Sequence, residues 1–87
     1  MWYVYFLLSV NFNFLYVGHK NDVSRRLEEH NEGLNQSTKR YAPFILAGYI
    51  AVPAEARAIE LEKYFKVGSG KAILRKRILG LPHSPGK

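Results

Sequence analysis

"YVYFLLSVNFNFLYVGHK", residues 3–20, is the stretch whose reading decides the fold. With Trp2 in front of it, the first part is apolar on both faces, the pattern of a strand covered on each side rather than one facing water. Trp2–Leu8 therefore reads as the central strand of a sheet. Val10-Asn11-Phe12-Asn13 supplies a turn and Phe14 to Gly18 runs back, giving a β-hairpin with a loop of about four residues. Side chains alternate across a strand, so a register that sets Tyr5 opposite either Tyr16 or Gly18 puts Tyr3, Tyr5, Leu7, Phe14, Tyr16 and Gly18 on one face. A slip by one residue would separate them.

Downstream, Asn21 or Asp22 can cap a helix running to about Asn31, with Gly33 as its stop. At about 100° per residue, Val23, Leu27 and His30 fall within roughly 60° of one another, Arg26 lies at the edge of that stripe, and Arg25 points away. The polar loop "LNQSTKRYA", residues 34–42, leads through Pro43 to a third, mostly apolar strand, "FILAGYIAV". Pro53 suits the first turn of a second helix reaching Lys66, with Ala54, Ala58, Leu61 and Phe65 on one face. Gly68-Ser69-Gly70 should break it, and a short basic helix should follow from Lys71 to Leu79. The order ββαβαα predicts an α/β (α+β) fold: a small three-stranded antiparallel sheet flanked by helices. Residues 1–79 form one domain, and 80–87, "GLPHSPGK", read as a flexible tail.

A chain of 87 residues, 47% hydrophobic and 23% charged, is a single compact domain near the lower size limit for an unstapled core. It has no cysteine, which excludes disulfides and thiol catalysis and suits a reducing, cytoplasmic setting. Its longest apolar run, Trp2–Leu8, is too short to span a bilayer and follows no basic leader, so no membrane segment or signal peptide is expected. Residues 1–62 carry six Lys or Arg against seven acids, whereas residues 63–87 carry seven Lys or Arg and no acid. A one-signed surface of this kind attracts polyanions, and Lys66, Lys71, Arg75, Lys76 and Arg77 are its candidate phosphate contacts. "GSGK", residues 68–71, is no nucleotide-triphosphate loop: Phe65 stands where an earlier Gly is needed, and Ala72 where Ser or Thr is required.

Among groups able to do chemistry, Glu62 is the most informative. It falls inside the apolar arc of the second helix, about 40° from Ala58 and 60° from Phe65, whereas Glu60 faces outward. A carboxylate among apolar neighbours needs compensation, which a divalent cation or a pairing with Lys66 one turn on can each supply. Arg26 and His30, one turn apart, offer a bidentate phosphate grip and a group that titrates near neutrality. Tyrosines favour strands for packing reasons alone, and a phenol is a poor base at neutral pH unless nearby cations lower its pKa. Tyr5 and Tyr16 gain interest only where those groups converge on them.

Taken in order, Tyr3-Val4-Tyr5, Tyr16-Val17-Gly18, "RRLEEHN" from Arg25 to Asn31, and Ala58-x-x-x-Glu62-x-x-x-Lys66 resemble the motifs of the GIY-YIG nuclease superfamily, especially its small standalone branch. The resemblance implies that Tyr5, Tyr16, Arg26, His30 and Glu62 line one catalytic site. It also implies hydrolysis of DNA phosphodiester bonds assisted by Mg²⁺ (or Mn²⁺) on Glu62, with Tyr5, its pKa lowered by its surroundings, and His30 activating water. Low sequence specificity is expected, with DNA shape or a protein partner directing the enzyme, as in repair or recombination. The alternative is an inactive nucleic-acid-binding protein that works through its basic C-terminal segment. Three positions depart from the family pattern. Tyr3 replaces the first Gly of the first signature, His19 stands where Ser or Thr often follows the second, and a late Asn of some members has no counterpart.

Overall fold

The computed structural model describes residues 1–81; the end of the expected tail, residues 82–87, lies outside the described residues. Strands β1 (Trp2–Ser9), β2 (Leu15–Lys20) and β3 (Phe44–Val52) form one antiparallel sheet in the order β2-β1-β3. The apolar first strand is thus central, as its two-sided pattern predicts. Helix α1 (Val23–Asn31) follows the hairpin, a short 3₁₀ turn (Lys39–Tyr41) precedes β3, and α2 (Glu55–Lys66) and α3 (Gly68–Ile73) follow it. The last helix continues as a π-helical turn, Leu74–Ile78. The element order and sheet are those read from the sequence.

Register is the decisive detail. Tyr5 pairs with Gly18 and Leu7 with Tyr16, which sends Tyr3, Tyr5, Leu7, Tyr16, Gly18 and Lys20 to one face of the sheet. On that face Tyr5, Leu7 and Phe44 pack with Phe14, Tyr16, Val23, Leu27 and Tyr41, beneath α1. On the opposite face Val4, Phe6 and Val17 pack with Ala58, Phe65 and Leu74 of α2 and the last helix. Phe6 and Phe65 meet edge to face with ring centroids 5.6 Å apart.

Asp22 caps α1, its side chain accepting from the Arg25 N–H at 3.1 Å. At the other end Gly33 turns the chain at φ 76°, a conformation that favours glycine. Asn31 then fastens α1 to the start of β3. Its Oδ1 accepts from the Phe44 N–H at 2.6 Å, and its Nδ2 donates to the Phe44 carbonyl at 3.2 Å. That double bond fixes the axial position of α1, and with it the aim of Arg26 and His30.

Some boundaries differ from the sequence reading. Pro53 and Ala54 precede α2, Ala54 as its exposed N-cap, because the helix begins only at Glu55. Val67, in extended conformation, and Gly68, at φ 54°, break the chain between α2 and α3 as expected, and α3 begins at Gly68 rather than at Lys71. Gly70 is there for close approach: a Cβ on it would lie 2.0 Å from the Tyr64 carbonyl oxygen. Within the predicted tail, Leu81 is tied back, its N–H donating to the Arg75 carbonyl at 2.7 Å. β3 is an outer strand, and Ile45, Leu46 and Tyr49 on it are exposed.

Candidate active site

The candidate residues come from four elements gathered around β2, the outer strand opposite β3. Tyr5 on β1 and Tyr16 on β2 present their rings with centroids 6.1 Å apart. His30 from α1 lies 4.8 Å from the Tyr16 ring and 6.4 Å from that of Tyr5. Gly18 makes this cluster geometrically feasible. A Cβ there would sit 2.5 Å from Tyr5 Oη, 2.7 Å from Tyr5 Cζ and 2.9 Å from Tyr16 Cε2. The Tyr5 phenol therefore lies directly on the glycine backbone, in space that any side chain would fill.

His30 is fully buried. Its Nδ1 is paired with Thr38 Oγ1 at 2.7 Å, and among the described residues its Nε2 has no partner. Burial, and after it the positive charge of Arg26, holds the imidazole below the usual histidine pKa. It is accordingly neutral at pH 7, with one ring nitrogen anchored and the other available. Arg26 shows a similar incomplete satisfaction. It bonds Glu29 at 3.2 Å through Nη1, while its buried Nε has no partner among the described residues. Arg25 is 76% exposed and reaches only Glu29. The preference for Arg26 over Arg25 from helical angles therefore matches their placement.

Glu62 approaches from α2, on the other side of the sheet, at the β2 edge. Its Oε1 accepts from His19 Nδ1, and its Oε2 pairs with Lys66 Nζ at 2.6 Å. Burial alone would raise the Glu62 carboxyl, but bonds from His19 and Lys66, and their charge, hold it below the usual carboxylate range. Lys66 Nζ in turn stands 5.8 Å from the Tyr16 ring centroid, which links the acid to the hairpin aromatics around the strand edge. Glu60 points outward and pairs with Arg57 at 3.0 Å. Both inferences about Glu62 hold together: it faces inward, and it pairs with Lys66.

One sequence expectation is corrected. The phenol of Tyr5 is not lowered. Burial first, then the neighbouring Tyr16 phenol and the Glu62 carboxylate, raise it, against the opposing charge of Arg26. Tyr5 is a hydrogen-bonding group here, protonated at neutral pH.

Cationic side chains flank the cluster on two sides. Lys20, Arg25 and Arg26, with Asn21, Asp22 and Glu29, line an open cleft of about 570 Å³. Lys66 and Lys71 border a second hollow beside Tyr16. Arg75 is tied by a 2.9 Å bond from Nη2 to Asn13 Oδ1 at the hairpin turn, while Lys76 and Arg77 are exposed. Sequence reasoning missed Lys20, Thr38 and the part played by His19. Lys20 had a signal, since it shares parity with Tyr16 and Gly18. Thr38 had none, because nothing in a polar loop marks which hydroxyl will reach a buried imidazole.

The protein belongs to the GIY-YIG nuclease family: residues 1–76 match the GIY-YIG catalytic domain. Its structure is similar to the solution NMR structure of the UPF0213 protein BH0048 from Bacillus halodurans. The two share 29% sequence identity over 94% of this chain and 89% of that one, with a TM-score of 0.54. No protein curated for function matches the chain. Among the described residues no helix is long and apolar enough to cross a membrane.

Proposed function

We propose that the protein is a divalent-metal-dependent endonuclease that hydrolyses DNA phosphodiester bonds, with DNA shape rather than base sequence selecting the target. The observation that supports this most is the convergence at the β2 edge of Tyr5, Tyr16, His30, Arg26 and Glu62 from four separate elements. Among the described residues no element built to read base edges accompanies them, which favours phosphate contacts and shape readout in repair or recombination substrates.

Glu62 fits a cation in charge: its carboxyl is ionised well below neutrality and is half-buried at the rim of the site. Among the described residues no set of three or more His, Cys, Asp or Glu side chains could hold a metal ion. Affinity should therefore be weak until nucleic-acid oxygens complete the shell. When bound, Mg²⁺ or Mn²⁺ would neutralise the phosphate and stabilise the departing 3′ oxygen.

The chain's own side chains do the rest. Tyr5 and Tyr16 hold and orient the attacking water with their phenols. His30, neutral and anchored by Thr38, accepts the proton the water loses, with the half-buried Tyr16 linking it to the surface. The water oxygen bonds to phosphorus, the bond to the 3′ oxygen breaks, and Arg26 donates to the oxygens on which charge accumulates. Lys20 and Arg25 on one flank, and Lys66, Lys71, Arg75, Lys76 and Arg77 on the other, would track the DNA backbone.

The test is cleavage of branched, nicked and plain DNA in Mg²⁺ or Mn²⁺ by the wild type, Glu62→Ala and Arg26→Ala. Each substitution should cost about 10²-fold or more in rate. Equal rates for all three proteins on every substrate would leave the alternative, an inactive nucleic-acid-binding protein.

A further inference from the structure

His19 is a titratable group to which the proposed mechanism gives no work, yet it contacts two carboxylates and an aromatic ring. Its Nδ1 faces Glu62 Oε1, while its Nε2 is 3.6 Å from Glu55 Oε2. The imidazole thus stands in line between two carboxylates, one from the first turn of α2 and one from its second half. Metal-bound histidines place one nitrogen on the ion and give the other N–H to a carboxylate that fixes the ring; here Glu55 stands 3.6 Å away, in position to close to that bond. Trp2 packs beside it, with ring centroids 6.0 Å apart, and limits the ring's freedom further.

We infer that His19 is a second protein ligand of the cation site, paired with Glu62, and that Glu55 is its positioning residue. In this structure His19 Nδ1 and Lys66 Nζ take up the two Glu62 oxygens. With a cation bound, Nδ1 would supply a nitrogen donor beside the Glu62 carboxylate, and the Nε2 N–H would be turned toward Glu55. A nitrogen donor beside a carboxylate oxygen changes selectivity. Mg²⁺ prefers all-oxygen shells, whereas later first-row ions such as Co²⁺ accept imidazole readily. The site should therefore favour Co²⁺ over Mg²⁺ by a margin that His19 creates. The inference rests on the nuclease reading only for the presence of a cation on Glu62.

Trp2, the single tryptophan of the chain, gives a readout independent of cleavage, because Co²⁺ bound beside His19 quenches its fluorescence. Co²⁺ would be titrated directly and Mg²⁺ by competition, with and without a short DNA duplex, all on an Arg26→Ala background that suppresses cutting. His19→Ala should weaken Co²⁺ about tenfold and change Mg²⁺ by less than about twofold. Glu55→Gln, an exposed and conservative change, should weaken Co²⁺ several-fold in the same direction. Lys66→Ala should tighten both ions by a similar factor, since it removes a competing charge. An unchanged Co²⁺ to Mg²⁺ ratio in His19→Ala and Glu55→Gln would overturn the inference and leave cation binding on Glu62 intact. Failure of both ions to bind, with and without DNA, would overturn this inference and the metal-dependent reading together.

Discussion

Gly18→Ala tests the site architecture in a single atom. Gly18 pairs with Tyr5 in the β1–β2 ladder and has no positive φ, so nothing in its backbone requires glycine. On propensity alone, alanine in a strand should stabilise by about 0.5–1 kcal/mol. The added methyl would, however, meet Tyr5 Oη at 2.5 Å and Cζ at 2.7 Å, and Tyr5 is only 2% exposed. Overpacking of this kind costs about 1–3 kcal/mol, so the sign of the net change is itself informative. We expect net destabilisation of about 1–2 kcal/mol, which for a domain of this size lowers Tm by roughly 4–16 °C. Nuclease activity should fall further than stability does, because the Tyr5 phenol is driven out of line with Tyr16 and His30. Thermal melts followed by circular dichroism, beside cleavage at a temperature where both proteins are folded, measure the two effects. Adding Tyr5→Phe removes the nearest clashing atom and should recover part of the stability and none of the activity. A Gly18→Ala protein at least as stable as wild type, with full activity, would refute the placement of Tyr5 on the glycine backbone.

Other outcomes follow from contacts described above. Gly70→Ala should cost at least about 2 kcal/mol, read from denaturant unfolding, because the opposing atom is a backbone carbonyl that cannot rotate away. Acidification from pH 7 to 5 should lower Tm. The unfolded chain binds a proton on His30 near pH 6.5, whereas the folded imidazole, held lower by burial and Arg26, does not until the pH is lower still. Stability is then retained above the unfolded value and lost below it, and His30→Gln should flatten that slope. Glu62, whose carboxyl is also held low, adds a further loss below about pH 4.5. Replacing Arg75, Lys76 and Arg77 with Ala should weaken DNA binding and flatten its salt dependence, measured by fluorescence anisotropy across a salt series.

The sheet was legible because β1 is apolar on both faces, the pattern of a covered central strand, although the equally apolar β3 shows that the pattern alone does not separate centre from edge. Arg26 and Glu62 were legible for a related reason, since helical angle alone sorts inward from outward neighbours. What escaped was contact between segments far apart in the chain. The pairing of His19 with Glu62 spans 43 positions, and no periodicity encodes it. The expected lowering of the Tyr5 phenol failed because burial outweighs the single guanidinium nearby, a balance that depends on depth. Gly68-Ser69-Gly70 marked the break after α2 correctly, but not that Gly70 would sit inside α3, because glycine also lets two helices touch and sequence alone does not separate these uses.

The bare rim at β3 has its own cost. Nine residues without a single charge, "FILAGYIAV", end the sheet with Ile45, Leu46 and Tyr49 open to water, and no lysine or internal proline acts as a gatekeeper against strand-on-strand addition. Against such addition stands the molecule's net charge of +6, a long-range repulsion that salt screens and that vanishes near the isoelectric point of about 9.8. The cations that supply this repulsion include those proposed to track the DNA backbone, and a preparation brought to high salt or alkaline pH should cloud before it unfolds.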